Sequence, residues 1–99
     1  MKIHLHQNDL PDGLDLGNVV AVDTETMGLK PHRDRLCLVQ LSAGDGICHL
    51  VQFAQKHYEG ASNLKSLLAN PNITKLFHFA RFDVTVLFHS LGVMAAKAR

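Results

Sequence analysis

The sequence predicts an α/β domain: a mixed β-sheet flanked by helices, with its elements in the order β-β-β-α-β-α. Three observations carry that expectation. Apolar, β-branched runs at 18–24, 35–42 and 47–53 follow one another closely, with Asp45-Gly46 as a hairpin signal between the last two. Leu64, Leu67 and Leu68 stand at helical spacing, and a fourth strand-like run, 74–79 (TKLFHF), comes next. A three-strand meander followed by a helical crossover to a fourth strand gives antiparallel and parallel pairs in one sheet.

Taken in order, Lys2 to Leu5 alternates weakly and reads as a short edge strand. Asn8 to Asn18 holds Pro11, Gly13 and Gly17 and reads as loop. Asn18 to Thr24 is apolar on both faces, which predicts a central strand covered on both sides. Gly28, Pro31 and the charged residues up to Asp34 mark a turn. Ser62 is placed to cap a helix that Asn70-Pro71 stops. Phe82 to Leu91 is apolar around most of its circumference and ends at Gly92, a natural residue for a helix C-terminus. The right-handed crossover rule places strand 74–79 beside strand 18–24. No strand follows the last helix. VMAAKAR is short, small and basic, so the expectation is a sheet ending at its fourth strand or a single domain, 1–99, truncated at its C-terminus.

The composition narrows the function. Hydrophobic residues make up 46%, enough for a core, while ten basic against nine acidic residues leave +1, so no global basic field marks a nucleic-acid binder. Seven histidines would raise the charge only at mildly acidic pH. Cys37 and Cys48 fit no CxxC or Cys/His ligand spacing and read as reduced, buried thiols. The N-terminus lacks a signal-peptide apolar core and no run is long enough to span a membrane, so a cytoplasmic protein without membrane partners is expected.

The stretch VVAVDTETMGL, Val19 to Leu29, runs apolar residues into Asp23 and Glu25. Strand alternation points both the same way, about 6.6 Å apart along the chain. Two ionised carboxylates at a strand end repel, and divalent cations remove that cost. Two-metal sites hold ions roughly 3.5–4 Å apart, which such a pair can bracket. A strand emerging into solvent accounts for Asp-x-Glu equally well. A calcium-loop reading fails because Met27 falls on a ligand position and Asp34 stands where a bidentate Glu belongs. A nucleotide-triphosphatase reading fails for want of GxxxxGK[ST]. In HFARFDVTVLFHSLG, Asp83 lies in a helix's first turn, where the dipole alone favours it by about 0.3–1 kcal/mol. If its strand runs parallel to that of Asp23, all three carboxylates meet at the carboxyl end of the central strands.

VVAVDTETMGL, followed about sixty residues later by HFARFDVTVL with RDRLCLVQLS between them, resembles the first two motifs of the DEDD 3′–5′ exonucleases, most nearly the ribonuclease D branch. The likeness spans 18–93. It implies a ribonuclease H-like fold and metal-dependent hydrolysis of phosphodiester bonds from a 3′ end. It also implies two divalent cations, Mg²⁺ or Mn²⁺, with Asp23 bridging both, Glu25 holding the one that activates water, and Asp83 helping to position the second. Met27 and Gly28 match positions that pack against the terminal nucleotide, and His78 and Phe82 match positions lining the same cleft. Burial in the core competes with substrate contact for these four.

The family's third motif, a Tyr or His four residues before a final Asp, has no counterpart here. No acidic residue follows Asp83, and the sole tyrosine, Tyr58, precedes no such Asp. The expected function is a 3′–5′ exonuclease acting on a nucleic-acid 3′ end, RNA before DNA. The alternative is a catalytically incomplete exonuclease-fold fragment that binds nucleic acid. Such a fragment would pair with a second copy or a complementary C-terminal segment through its sheet edge and last helix. A third reading is a ribonuclease H-like nuclease with a different last carboxylate, cutting internally.

Overall fold

A computed structural model describes residues 1–28 and 34–99. The turn expected over 28–34 lies mostly outside the described residues. Five strands, β1 (Lys2–Gln7), β2 (Val19–Thr26), β3 (Leu36–Ser42), β4 (Ile47–Gln52) and β5 (Thr74–Phe77), join helices α1 (Ser62–Ala69) and α2 (Ala80–Leu91). The sheet order is β1-β4-β3-β2-β5. β2, β3 and β4 form the expected antiparallel meander, turning between β3 and β4 through Gly44 and Gly46, both at positive φ. β1 is indeed an edge strand, pairs parallel with β4, and extends past Leu5 to Gln7. β5 lies parallel to β2, as the crossover rule requires, with Val22 beside Phe77.

Four expectations need correction. β2 is central but not covered on both sides: Val20, Val22 and Thr24 are buried, whereas Val19, Ala21, Asp23 and Glu25 are exposed. Leu64 and Leu68 of α1 and Val86 and Leu87 of α2 join Val20, Val22, Val39 and Leu41 in one core, so the helices share one side of the sheet. β5 is shorter than 74–79, and α2 starts at Ala80 instead of Phe82. Ser62 does not cap α1. The Asp9 carboxylate accepts the backbone N–H of Asn63 (2.9 Å) and of Leu64 (2.8 Å) from the loop after β1. At the other end the wholly buried Lys75 ammonium donates to the Asn70 carbonyl at 2.7 Å. A short helix with no acidic residue in its first turn and no basic one in its last thus has both ends satisfied from outside. Lastly, the tail does not trail off. The Lys75 N–H bonds the Lys97 carbonyl, and the Arg99 N–H bonds the Lys75 carbonyl, beginning a parallel ladder on the outer edge of β5.

The C-terminal end of α2 is as expected: Gly92 takes the left-handed conformation at φ 70, and its N–H bonds the Phe88 carbonyl.

Candidate active site

Parallel pairing of β2 and β5 brings their carboxyl ends together, so His78, Phe79 and the first turn of α2 emerge beside Asp23. The Asp23 and Glu25 carboxylates stand on the open face, on the same side as expected. A bulge follows at Glu25/Thr26, where such irregularities re-aim side chains. Asp23 Oδ1 accepts the Thr24 N–H at 3.0 Å, which fixes its rotamer. Thr24 points to the covered side, where its hydroxyl donates to Asp83 Oδ1 at 2.5 Å.

Asp83 is 2% exposed, and its Oδ2 has no hydrogen-bond partner among the described residues. Burial pushes its carboxyl above the usual carboxylate range and the nearby Asp23 charge adds to this, while the Thr24 hydroxyl bond pulls it back. The magnitudes decide between the two accounts of this residue. A helix-dipole benefit of about 0.3–1 kcal/mol does not offset a buried unsatisfied acceptor, which costs about 1–3 kcal/mol and more if charged. The dipole alone therefore does not account for Asp83 at this position, and a raised carboxyl in a cleft is a candidate for ligand binding.

Asp23, Glu25 and Asp83 line one cleft of about 330 Å³ with Thr24, Thr26, Gly28, His78, Phe79 and Phe82. A further hollow of about 260 Å³, between the 10–16 loop and α1, gathers no facing carboxylates: its Asp15 is engaged by the Gly17 N–H. Of the sequence candidates, Met27 is the one that does not reach the cleft wall. It is exposed just beyond the strand end, and Thr26 lines the cleft in its place. A Cβ on Gly28 would run into the Asp34 carboxylate, the far end of a side chain that would have to move aside. His78 is exposed and sits edge-on to Phe79 at 4.5 Å, and Phe82 is half-buried against the core.

The three carboxylates do not form a closed ligand cage. Among the described residues, no three His, Cys, Asp or Glu side chains stand close enough to hold an ion together. The reason is the strand's own alternation: Asp23 and Glu25 lie on one face, while Thr24 draws Asp83 toward the other. Even so, the donor set fits a hard divalent cation, since it offers only carboxylate oxygens. The orphaned Asp83 oxygen and its repulsion with Asp23 are what a cation would relieve. Tyr58 takes no part: its hydroxyl donates to the Leu36 carbonyl and its ring packs edge-on to Phe53.

Thr24, Thr26 and Phe79 line the cleft without having been candidates from the motifs. Strand alternation alone could have found Thr24, because the middle residue of D-T-E must face the helix side. Phe79 was hidden by its placement inside the strand.

One strand ending in two carboxylates, beside a parallel strand that leads into a helix with a buried third, makes this an α/β domain with a candidate hydrolytic cleft. The 3′–5′ exonuclease family model matches residues 7–97, and the chain belongs to that family. It is 36% identical over 87 residues to ribonuclease D of Acidiphilium cryptum (strain JF-5), covering 88% of this chain and 22% of that protein. The fold matches Brucella melitensis NrnC with a TM-score of 0.91 and 48% identity, over 99% of this chain and 48% of that one. NrnC has also been solved with bound Mg²⁺ and bound to pGG. Trypanosoma brucei RNase D, in complex with RNA U12, matches at a TM-score of 0.65 and 25% identity, over 82% of this chain and 29% of that one. The chain thus spans about a fifth of the ribonuclease D and about half of NrnC. The five-stranded mixed sheet with its two helices is the ribonuclease H-like exonuclease fold of these neighbours. Among the described residues, no helix is long and apolar enough to cross a membrane.

Proposed function

We propose that this chain carries the first two carboxylate motifs of a metal-dependent 3′–5′ exonuclease acting on RNA ends. The observation that carries this reading is the buried Asp83 oxygen, without a partner among the described residues, on the wall shared with Asp23 and Glu25. Asp23 and Glu25 offer their carboxylates from the open face, and Asp83 offers its free Oδ2 from the cleft wall. Two bound Mg²⁺ or Mn²⁺ ions would supply an activated water and charge stabilisation for the departing 3′-oxygen. Thr24 keeps Asp83 in one rotamer, and Phe79, Phe82 and His78 give the terminal nucleotide apolar and aromatic surface. Gly28 lines the cleft, and Met27 meets substrate only from the rim.

RNA is the preferred substrate because relatives of this chain have been solved with pGG and with RNA U12. A net charge of +1 suits a grip on a few nucleotides through metals and local contacts more than binding to a long duplex. A cytoplasmic site of action goes with this reading. So does a single domain over 1–99 whose open face, with Val19 and Leu76 exposed, is covered by a second copy or a complementary C-terminal segment. Sedimentation at several concentrations tests that last element.

The activity test is a 5′-labelled RNA oligonucleotide with Mg²⁺, with and without EDTA. A ladder of labelled products shortening one nucleotide at a time supports the proposal. Internal cuts point to the other ribonuclease H-like chemistry, and binding without hydrolysis to a non-catalytic module.

A further inference from the structure

Three histidines gather on the β1/β4 side of the sheet, away from the carboxylates on β2. His4 and His6 are two apart on β1 and share a face, and the parallel register sets His49 of β4 opposite His4. His6 Nε2 lies 3.0 Å from His49 Nδ1, and their rings stack at 5.3 Å and 12°. The His4 ring centroid is 5.3 Å from that of His49 and 6.5 Å from that of His6. His49 is 5% exposed, His6 is half-buried and His4 is open to solvent.

We propose that His4, His6 and His49 form a binding site for a divalent transition metal of the zinc, nickel or copper type, separate from the carboxylate cleft. Imidazole nitrogens bind such ions at about 2.0–2.1 Å, which sets two tetrahedral ligands roughly 3.3 Å apart. The His6–His49 separation is within a few tenths of an ångström of that. Among the described residues, no three side chains already stand in ligand geometry, so the solvent-exposed His4 ring must turn to complete the set. Binding exchanges one hydrogen bond for nitrogen–metal bonds. The displaced N–H proton moves to the far nitrogen of its own ring, or to solvent if that ring was protonated.

The surroundings of His49 favour its ligand-competent neutral ring. Burial lowers the His49 pKa, and His6 and His4 lower it further by charge repulsion, against an opposite pull from Asp45. A bound ion would tie the exposed edge strand β1 to β4.

The test is zinc titration by calorimetry on EDTA-stripped protein carrying Asp23→Asn, which removes competition from the cleft. Copper(II) electron paramagnetic resonance then identifies nitrogen ligands. The expected result is one zinc per chain, nitrogen hyperfine structure, and affinity lowered at least about tenfold by His6→Gln and by His4→Gln. Zinc should also raise the melting temperature of the parent and not that of these variants. Both positions lie on the edge strand, and circular dichroism checks that the variants fold. Zinc binding unchanged by both substitutions, or weaker than about 1 mM in the parent, overturns the proposal.

Discussion

The Thr24 hydroxyl donates to the Asp83 carboxylate at 2.5 Å, joining the covered face of β2 to the first turn of α2 across 59 residues of sequence. It is the bond that a side chain gives Asp83 among the described residues; the backbone of Phe79 and Thr24 also supports the carboxyl, and Oδ2 has no partner there. Thr24→Val keeps the volume and removes the donor, leaving both carboxylate oxygens without a side-chain partner. Destabilisation of about 1–3 kcal/mol is expected at neutral pH, with Thr24→Ser restoring most of it. Urea denaturation of the three proteins provides the comparison.

Asp83 itself sets a pH dependence. Its folded pKa is raised, so between the unfolded value of about 3.9 and the higher folded one, the folded state holds a proton that the unfolded state has released. That contribution to stability is present below the unfolded pKa and is lost as pH rises through the folded pKa. Asp83→Asn cannot ionise, so in EDTA it should melt higher than the parent at pH 7. The gap should close as pH falls toward about 4. The same variant should lose divalent-ion binding. Equal melting temperatures at every pH would mean that the Asp83 carboxyl is not desolvated in solution.

Asp23 behaves differently. It is exposed, and the hydrogen bond its carboxylate accepts among the described residues is a local one from the Thr24 N–H. Asp23→Asn should therefore leave the EDTA-treated fold intact or slightly more stable by removing a like charge near Asp83. Nuclease activity should fall at least about 100-fold if the carboxylate is a direct ligand. Thermal melts and single-turnover kinetics on one preparation separate the two effects. A large loss of stability would make Asp23 a structural hydrogen-bonding residue.

Far from the cleft, Asp9 carries the N-terminus of α1 by accepting two backbone N–H groups. Asp9→Ala should cost about 0.5–2 kcal/mol, the range for a lost cap, while Ser62→Ala should cost almost nothing. Chemical denaturation of both variants tests the assignment, and reversal of the order would return the cap to Ser62.

That pair illustrates what the sequence could and could not tell. The strand runs and the Gly92 stop are local signals, readable from periodicity or a single special residue, and the place of β5 beside β2 follows from the handedness of crossovers. Capping by Asp9, burial of Lys75 under the end of α1 and the Thr24–Asp83 bond join residues far apart in the chain, which no local pattern records. The site was legible in its carboxylates because like charges at the end of an apolar strand demand an explanation. Its geometry was not. Alternation puts Asp23 and Glu25 on one face, but only the position of α2 shows that Asp83 comes in from the other side. The open face of β2 was likewise invisible, because a run apolar on both sides says nothing about which side the helices take.

Phe79 supplies the last test, because it lies at the cleft and contributes little to the core. It is 66% exposed, lines the cleft with Asp23, Glu25 and Asp83, and meets the His78 ring edge-on. Under the proposed function, an exposed aromatic ring beside the carboxylates would offer a terminal base a stacking surface, worth about 1–3 kcal/mol per base. Phe79→Ala should leave stability within about 0.5 kcal/mol of the parent, as surface substitutions do. It should raise KM for a short RNA about five- to tenfold, the low end of the stacking range, with a smaller change in kcat. Phe79→Tyr should keep the parent KM, since the ring face is what the base meets. Phe82 makes the contrast: it packs against the core, so Phe82→Ala should lower the melting temperature as well as weaken substrate binding. If Phe79→Ala leaves KM unchanged while Phe82→Ala raises it, the terminal nucleotide lies against α2 and not at the end of β5.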